Sequence, residues 1–174
     1  MLCGVLYSRS SEAAEGIRMR RRHFVMGGVS TFALMALPPP AVGAPSDLAS
    51  RTEDEWRERL TPGQYVVLRQ AQTEHPYSSP LTSEKRRGTY TCGGCGQRVF
   101  SSSDKYDSKT GWPSFRGPLP RAVREKRDRS QALDRTEVEC LRCGCHLGHV
   151  FGDGPPPKRL RYCINGAGLN FIPA

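Results

Sequence analysis

Hydrophobic and polar residues alternate in short segments along the second half of the chain, and Gly, Pro and Ser separate these segments. Alternation with a period of two predicts β-strands that bury one face. The segments with this pattern are Thr89–Cys92, Arg98–Phe100, Thr136–Leu141, His149–Phe151, Leu160–Asn165 and Leu169–Ile172. This spacing of short apolar segments favours a small antiparallel β domain over a βαβ fold. The charge-rich stretch 121–135 fits either a solvated loop or an edge strand.

Two short helices are predicted before this region, because each begins with a capping box. Thr52 is followed three residues later by Glu55, and Thr61 is followed by Gln64, with Pro62 at the first helical position. In a capping box the threonine hydroxyl accepts a hydrogen bond from the third helical amide, and the side chain at that position accepts one from the threonine amide. These signals predict a mainly β domain with short N-terminal helices.

Residues 1–44 have the three-part pattern of an export signal. Three arginines at 20–22 come first, a weakly apolar run over 25–37 comes next, and prolines with small residues end the segment. The order Arg-Arg-His-Phe-Val resembles a twin-arginine signal, which directs folded proteins for export. The alternative is a disordered basic arm. The thirteen residues of the apolar run are too few to span a bilayer, so we expect no stable membrane span.

Composition and charge narrow the class of protein and its possible partners. The chain has 174 residues, of which 37% are hydrophobic and 25% charged, and this excludes a disordered polyelectrolyte. The net charge is +9, and five Arg and two Glu in the leader supply +3 of it. Basic clusters in the remainder lack the interleaved aromatic residues that stack on bases, so we expect no nucleic-acid partner. The predicted organisation is a leader (1–44), a linker (45–51) and one monomeric domain (52–174), exported to the periplasm.

Seven cysteines carry the clearest chemical signal, because four of them form two C-x-x-C-G motifs. The two motifs, Cys92 with Cys95 and Cys140 with Cys143, are separated by 44 residues. Four thiolates at tetrahedral geometry suit zinc and form a closed structural site. Two disulfides are the alternative in an exported protein. A thioredoxin-like redox pair is disfavoured, because neither motif lies in a βαβ unit.

The residues around Cys163 form a candidate reactive site. The period of two in the segment Leu160–Asn165 places Arg161, Cys163 and Asn165 on one face of a strand. A neighbouring guanidinium favours the thiolate, which is the nucleophilic form of cysteine. His146 and His149 come directly after the second C-x-x-C motif, so a metal site would fix their position. A thiol with nearby imidazoles indicates nucleophilic catalysis with proton transfer.

Longer motifs in a fixed order resemble those of the B-type peptide-methionine (R)-S-oxide reductases. The resemblance runs from about residue 52 to the C-terminus. The motifs are Gly88-Thr89-Tyr90-x-Cys92-x-x-Cys95-Gly96, Lys105-Tyr106-Asp107-Ser108, Gly111-Trp112-Pro113-Ser114-Phe115, Arg135-Thr136-Glu137-Val138, His146-Leu147-Gly148-His149-Val150-Phe151-x-Asp153-Gly154-Pro155 and Arg161-Tyr162-Cys163-Ile164-Asn165. The resemblance implies two small antiparallel sheets in a zinc-stapled, barrel-like domain, with the metal away from the chemistry.

The resemblance also implies roles for individual residues. Cys163 is the nucleophile, with His146, His149 and Asn165 as further catalytic residues. Trp112, Arg161 and Asp153 surround the substrate. The thiolate would attack the sulfoxide sulfur while one of the two histidines, which the sequence does not distinguish, protonates the oxygen. The products would be methionine and a sulfenic acid on Cys163. Expected substrates are free methionine-(R)-sulfoxide or oxidised proteins.

The sequence departs from the family pattern at the position of the recycling thiol. Many members have a cysteine directly before the Gly-Trp-Pro-Ser-Phe motif, where this chain has Thr110. Cys145, at a position where a small residue such as Ala is expected, is a candidate resolving cysteine. Alternatively, a thioredoxin-like or small thiol reduces the sulfenic acid directly. A different class of function is a non-catalytic zinc-ribbon module that binds oxidised methionine or nucleic acid.

Overall fold

The computed structural model of the protein describes residue 48 and residues 50–130 and 134–174. The predicted leader, residues 1–44, lies outside this range, so the export signal stays a prediction. Within the described ranges no helix has the length and apolar character needed to cross a membrane.

Both predicted helices are present, and both begin with the expected capping box. Helix α1 covers Glu53–Arg59 and helix α2 covers Pro62–Gln70. The hydroxyls of Thr52 and Thr61 each accept a hydrogen bond of 3.3 Å from the third helical amide, and the reciprocal bonds are also made. The helices bury Trp56 and Leu68 against the sheets, and this apolar burial stabilises two helices too short to be stable alone.

The described part of the chain has nine strands in two antiparallel sheets, which confirms the predicted mainly β fold. The strands are β1 (Gly88–Cys92), β2 (Arg98–Ser101), β3 (Lys105–Tyr106), β4 (Ser114–Phe115), β5 (Val123–Asp128), β6 (Arg135–Cys140), β7 (His146–Phe151), β8 (Arg161–Ile164) and β9 (Leu169–Pro173). One sheet has the order β2-β1-β9, and the other has the order β3-β4-β8-β7-β6-β5. Each neighbouring pair is antiparallel.

Alternation predicts six of these strands, and the other three show the limits of that signal. Strands β3 and β4 contain only two residues each, too few for a period to be visible. The charge-rich stretch 121–135 contains β5, which among the described strands pairs with β6 alone and is therefore an edge strand. Its exposed Arg and Lys side chains fit an edge position, because charge opposes edge-to-edge association.

An aromatic core joins the two sheets. The ring of Phe100 on β2 stacks on Phe115 of β4, with ring centroids 4.4 Å apart. Tyr90 of β1 meets the same ring edge-on at 5.0 Å. All three side chains are buried, and Tyr162 of β8 packs next to Phe100. Aromatic burial on this scale holds β8, the strand that carries Cys163, against the smaller sheet.

Candidate active site and metal site

The two C-x-x-C-G motifs form matching turns at the ends of two hairpins. One turn connects β1 to β2, and the other connects β6 to β7. In each turn the amide of the final glycine donates to the carbonyl of the first cysteine, at 2.8 Å for Gly96 and 2.9 Å for Gly144. Both glycines have a positive φ, 73° and 70°, which a side chain disfavours. The first hairpin belongs to the small sheet and the second to the large sheet, so the cysteines face each other across the two sheets.

The four cysteine sulfurs form one cluster that could hold a metal ion. Their Sγ atoms all lie within 4.8 Å of one another. The Sγ atoms of Cys92 and Cys143 are 3.7 Å apart, and those of Cys95 and Cys140 are 3.6 Å apart. A tetrahedral ion with Zn–S bonds of about 2.3 Å requires sulfurs about 3.8 Å apart. The spacing fits a metal and is far from the S–S bond length of about 2.05 Å that two disulfides would need.

Cys145 is a fifth thiol beside this cluster. Its side chain is fully buried and lies close to those of Cys143 and Cys92. Arg69 of α2 also contacts this sulfur. The Cys163 sulfur instead contacts Arg161 and Thr110. The candidate resolving cysteine, Cys145, therefore lies with the metal-site cysteines, whereas the nucleophile, Cys163, lies in the reactive site.

A β-bulge brings His146 and His149 to the same side of β7. Residues three apart in a regular strand point to opposite faces. Here Val138 of β6 pairs with Gly148 while Glu139 pairs with His146, so β7 has one extra residue between the two histidines. The bulge shifts the alternation by one position. The two imidazole centroids are consequently only 5.3 Å apart, and both side chains are buried.

Cys163 lies in the middle of the large sheet between two neighbouring strands. It pairs with His149 of β7 on one side and with Ser114 of β4 on the other. Close approach of β7 depends on Gly148, because a Cβ at that position would lie 2.1 Å from the carbonyl oxygen of Cys163. The glycine of the His-Leu-Gly-His segment therefore allows the nucleophile and the imidazole to sit on adjacent strands.

A small cavity is lined by Cys163 and His149. Its volume is about 190 Å³. The lining residues are Thr73, Trp112, Arg135, Gly148, His149, Phe151, Cys163 and Asn165. The apolar rings of Trp112 and Phe151 form part of the wall, and Cys163 and His149 supply the reactive groups. The cavity thus brings together four of the residues that the sequence indicated: Cys163, His149, Asn165 and Trp112.

A second, polar cavity of about 630 Å³ adjoins the first and shares Thr73, Arg135 and His149 with it. His146 lines this second cavity and is not part of the wall around Cys163. Its Nδ1 is 2.7 Å from a carboxylate oxygen of Glu137. Its Nε2 is buried and has no hydrogen-bond partner among the described residues. Of the two histidines, only His149 therefore reaches the cavity of the nucleophile.

His149 is held by Asp128, a residue that the sequence did not single out. The imidazole Nε2 lies 2.9 Å from Oδ2 of Asp128, which also accepts a bond of 2.7 Å from Arg135. Hydrogen bonds from the Ser130 hydroxyl and amide, and from His149, hold the pKa of Asp128 well below its ordinary value. Burial lowers the pKa of His149, although the Asp128 hydrogen bond opposes that shift. A protonated His149 is therefore a stronger acid than a free imidazole.

Arg161 and Asp153 form an ion pair beside the nucleophile, outside the cavity wall. Arg161 donates from Nε and Nη2 to the two Asp153 oxygens, both at 2.8 Å. Its guanidinium lies 4.5 Å from the centroid of the Phe151 ring. Burial raises the pKa of the Cys163 thiol, while the Arg161 charge and a Thr110 hydrogen bond oppose this. The cation acts in the direction that the sequence suggested, but burial outweighs it.

Thr110 ends a chain of hydroxyl groups that reaches the Cys163 sulfur. Its hydroxyl lies close enough to that sulfur to lower the pKa of Cys163, and it is 2.8 Å from the Ser108 hydroxyl. Ser108 is in turn 2.7 Å from the hydroxyl of Ser114, which donates to the Trp112 carbonyl at 3.1 Å. The residue directly before the Gly-Trp-Pro-Ser-Phe motif thus places a hydroxyl beside the nucleophile.

A cavity larger than the one around Cys163 lies elsewhere. It has a volume of about 980 Å³ and runs along α2, the segment after it and β9. None of Cys163, His146 and His149 lines it. Size alone would misplace the reactive site, which is identified by its thiol and imidazole groups.

Comparisons with known proteins show the family of the chain. Residues 60–173 match the SelR domain. A peptide methionine sulfoxide reductase MsrB from Methanosarcina barkeri is 54% identical over 122 residues, covering 70% of this chain and 86% of the relative. The enzymes of that name from Agrobacterium fabrum and Pseudomonas putida are 47% and 52% identical, covering 74% and 71% of this chain and 98% and 93% of the relatives. Among solved structures, the Mis18 "Yippee-like" domain covers 51% of this chain and 98% of its own chain, at 20% sequence identity. Its TM-score of 0.41 is too low to support an argument.

The match to the SelR domain covers most of the chain, and the relatives are matched over nearly their whole length. The non-catalytic alternatives are therefore not favoured. The chain belongs to the SelR family, and it is a peptide-methionine (R)-S-oxide reductase.

Proposed function

We propose that Cys163 is the nucleophile and His149 the proton donor in the reduction of methionine-(R)-sulfoxide. The observation that carries this assignment is their pairing across β7 and β8, where both line the cavity of about 190 Å³. The thiolate forms a bond to the sulfoxide sulfur, and the sulfur–oxygen bond breaks as the oxygen takes a proton. The departing hydroxide then attacks the Cys163 sulfur, and the new sulfur–sulfur bond breaks to release methionine. Cys163 keeps the oxygen as a sulfenic acid and has been oxidised by two electrons.

His149 suits proton donation better than His146 because it alone of the two reaches the Cys163 cavity. Asp128 accepts from Nε2 and stabilises the imidazolium form, as a buried carboxylate beside a histidine does in other enzymes. The lowered pKa makes the imidazolium a stronger acid, which favours proton transfer to a weakly basic sulfoxide oxygen. His146, paired with Glu137, contributes to the neighbouring polar cavity.

Trp112, Asn165 and the Arg161–Asp153 pair complete the proposed site. The Trp112 ring supplies an apolar wall for the S-methyl group, and sulfur–ring contacts of about 0.3–1.5 kcal/mol favour such placement. Asn165 forms another part of the wall, directly after the end of β8. Arg161 contacts the Cys163 sulfur and increases its thiolate fraction, and Asp153 fixes the guanidinium through two hydrogen bonds.

We also propose that Cys92, Cys95, Cys140 and Cys143 bind one structural zinc ion. Four thiolates with spacing of 3.6–3.7 Å across the cluster match the donor set and size that zinc requires. When bound, the ion supplies a closed cross-link between the β1–β2 and β6–β7 hairpins. Since β7 begins three residues after Cys143, the cross-link would fix the strand that carries both histidines.

Recycling is proposed to use an external thiol. Cys145 is buried with the metal-site cysteines, and the residue that touches the Cys163 sulfur at the usual resolver position is Thr110. One external thiol would condense with the sulfenic acid, releasing water and forming a mixed disulfide on Cys163. A second thiol, from a small molecule or a thioredoxin-like dithiol, would then release Cys163 as a thiolate and leave with the first as a disulfide.

Export through the twin-arginine route is the proposed cellular context. That route carries folded cargo, so zinc could be bound before the thiols meet an oxidising compartment. Replacing Arg21 and Arg22 by Lys should retain the protein in the cytosol, as measured by fractionation. Unchanged localisation would favour the alternative that residues 1–44 are a basic arm.

The test of the reductase mechanism uses the full chain and peptides that contain separated R and S sulfoxides, with dithiothreitol as the thiol donor. We expect turnover of the R isomer only and none by the Cys163→Ser variant. Cys145→Ser should retain turnover, and mass spectrometry after one turnover should show no Cys145–Cys163 disulfide. Turnover by Cys163→Ser would refute the proposed nucleophile, and that disulfide would refute external recycling.

A further inference from the structure

Glu74, in the segment after α2, contacts two residues that line the Cys163 cavity. It lies 38 residues before Trp112 and 91 before Asn165, yet it hydrogen-bonds to both. Its carboxylate bonds to a third site, the turn that comes after Asn165. The preceding residue, Thr73, lines the cavity directly. One residue thus connects the walls on which substrate binding is proposed to depend.

The first contact fixes the Trp112 ring. The indole Nε1 donates to the backbone carbonyl of Glu74 at 3.1 Å. Trp112 lies in the loop between β3 and β4, which are only two residues long. A single indole has one donor, so this bond sets the direction in which the ring faces the cavity.

The second contact fixes the Asn165 carboxamide. The Glu74 amide donates to Oδ1 of Asn165 at 3.1 Å, and Nδ2 of Asn165 donates to the Leu147 carbonyl at 3.2 Å. Because a backbone amide only donates and a carbonyl only accepts, these two partners allow one orientation of the carboxamide. The second Nδ2 proton remains for a bound oxygen.

The carboxylate holds the Glu74 backbone in this position. Its two oxygens accept from consecutive amides, those of Gly166 and of Ala167, the latter at 3.0 Å. These amides begin the 3-10 turn Gly166–Gly168, where the Asn165 side chain makes no capping bond because it is turned toward Glu74. Fixing the side chain of Glu74 to this turn therefore fixes its amide and carbonyl relative to the cavity.

We infer that Glu74 is a positioning residue that sets Trp112 and Asn165 for binding of the sulfoxide. This inference rests on the proposed function, because it concerns the same cavity. Glu74 does not line the cavity around Cys163 and so acts through the other two residues. A carboxylate that only capped a turn would affect folding stability without affecting substrate affinity.

The test measures binding without turnover. In a Cys163→Ser background, a peptide containing methionine-(R)-sulfoxide is titrated while tryptophan fluorescence is followed. The chain has two tryptophans, and only Trp112 lines the cavity. Glu74→Gln keeps one acceptor and should weaken binding about threefold, and Glu74→Ala should weaken it about tenfold, with a smaller fluorescence change at saturation. The Gln variant covers the case in which the Ala variant fails to fold.

Glu84→Gln is the matched control. The Glu84 carboxylate also accepts from a backbone amide, that of Arg86 at 2.8 Å, but it lies away from the Cys163 cavity. We expect unchanged peptide affinity for this variant. Parental affinity and fluorescence in a folded Glu74→Gln variant would overturn the inference and leave the proposed function intact. No binding of the R-sulfoxide by the parent would overturn both.

Discussion

Cys163 lies directly opposite His149 in the antiparallel pair of β7 and β8. The nucleophile and the imidazole are therefore held by adjacent strands and not by loops, and Gly148 allows the close approach of those strands. Sites on regular elements hold their geometry more rigidly than sites on loops. This relationship distinguishes His149 from His146, and the two can be compared directly.

Replacing His149 should affect the chemical step more than replacing His146. Loss of a general acid costs about 10²–10⁴ in rate, so His149→Gln should lower kcat/KM by that factor. His146→Gln should cost less than about tenfold, because His146 faces the adjoining cavity. Steady-state kinetics with the R-sulfoxide peptide tests this. Equal losses in both variants would contradict the assignment of His149 as donor.

The pH profile gives a second signature of His149. Burial lowers the pKa of His149 and raises the pKa of Cys163, and the reaction needs the first protonated and the second deprotonated. kcat/KM should then fall below the pKa of His149, stay level between the two and fall above the pKa of Cys163. His149→Gln should convert the level region into a continuous rise with pH. A parental profile that already rises throughout would argue against His149.

The hydroxyl of Thr110 should control the ionisation of Cys163. Its hydrogen bond lowers the pKa of the thiol against the larger opposing effect of burial. Thr110→Val removes that bond with little change of volume, so alkylation of Cys163 by iodoacetamide should shift to higher pH. Thr110→Ser retains a hydroxyl and should restore the parental midpoint. The neighbouring charges of Arg161 and Asp153 remain in all three proteins, so an unchanged midpoint in Thr110→Val would show that the contact is without effect.

A cysteine at position 110 should convert the recycling chemistry. The Thr110 side chain contacts the Cys163 sulfur, so a thiol placed there by Thr110→Cys could condense with the sulfenic acid and release water. After one turnover, mass spectrometry should find a disulfide between residues 110 and 163 in this variant only. Thr110→Ser is the matched control. A free sulfenic acid in Thr110→Cys would mean that the two side chains do not meet in the oxidised enzyme.

Much of the fold can be predicted from short-range patterns in the sequence. Alternation identified β1 and β2, capping boxes identified both helices, and paired C-x-x-C-G motifs indicated the cysteine cluster. These signals depend on residues within about ten positions of each other. The pairing of the two distant motifs in one cluster is a long-range prediction, and it followed from the preference of zinc for four thiolate ligands.

The features that sequence reasoning missed depend on long-range contacts. The bulge in β7 depends on its register with β6, so counting periods could not place His146 and His149 on one side. Asp128 lies in a charge-rich stretch where nothing marks one carboxylate among its neighbours. Glu74 reaches its partners across up to 93 residues. Glu74 lies four residues after the end of α2, and no sequence pattern around it indicates such contacts.

Loss of one cluster cysteine should remove the metal and loosen the region around β7. Cys95→Ser leaves three thiolates, too few for a closed tetrahedral site, so zinc measured with a chromogenic chelator should fall from one ion per chain to near none. The unfolding temperature should drop by more than about 10 °C, because binding of a structural zinc contributes directly to folding. Cys145→Ala is the control, since this buried thiol touches the same cluster without being one of the four ligands. It should keep one zinc per chain, and loss of the metal from it, or retention by Cys95→Ser, would contradict the proposed ligand set.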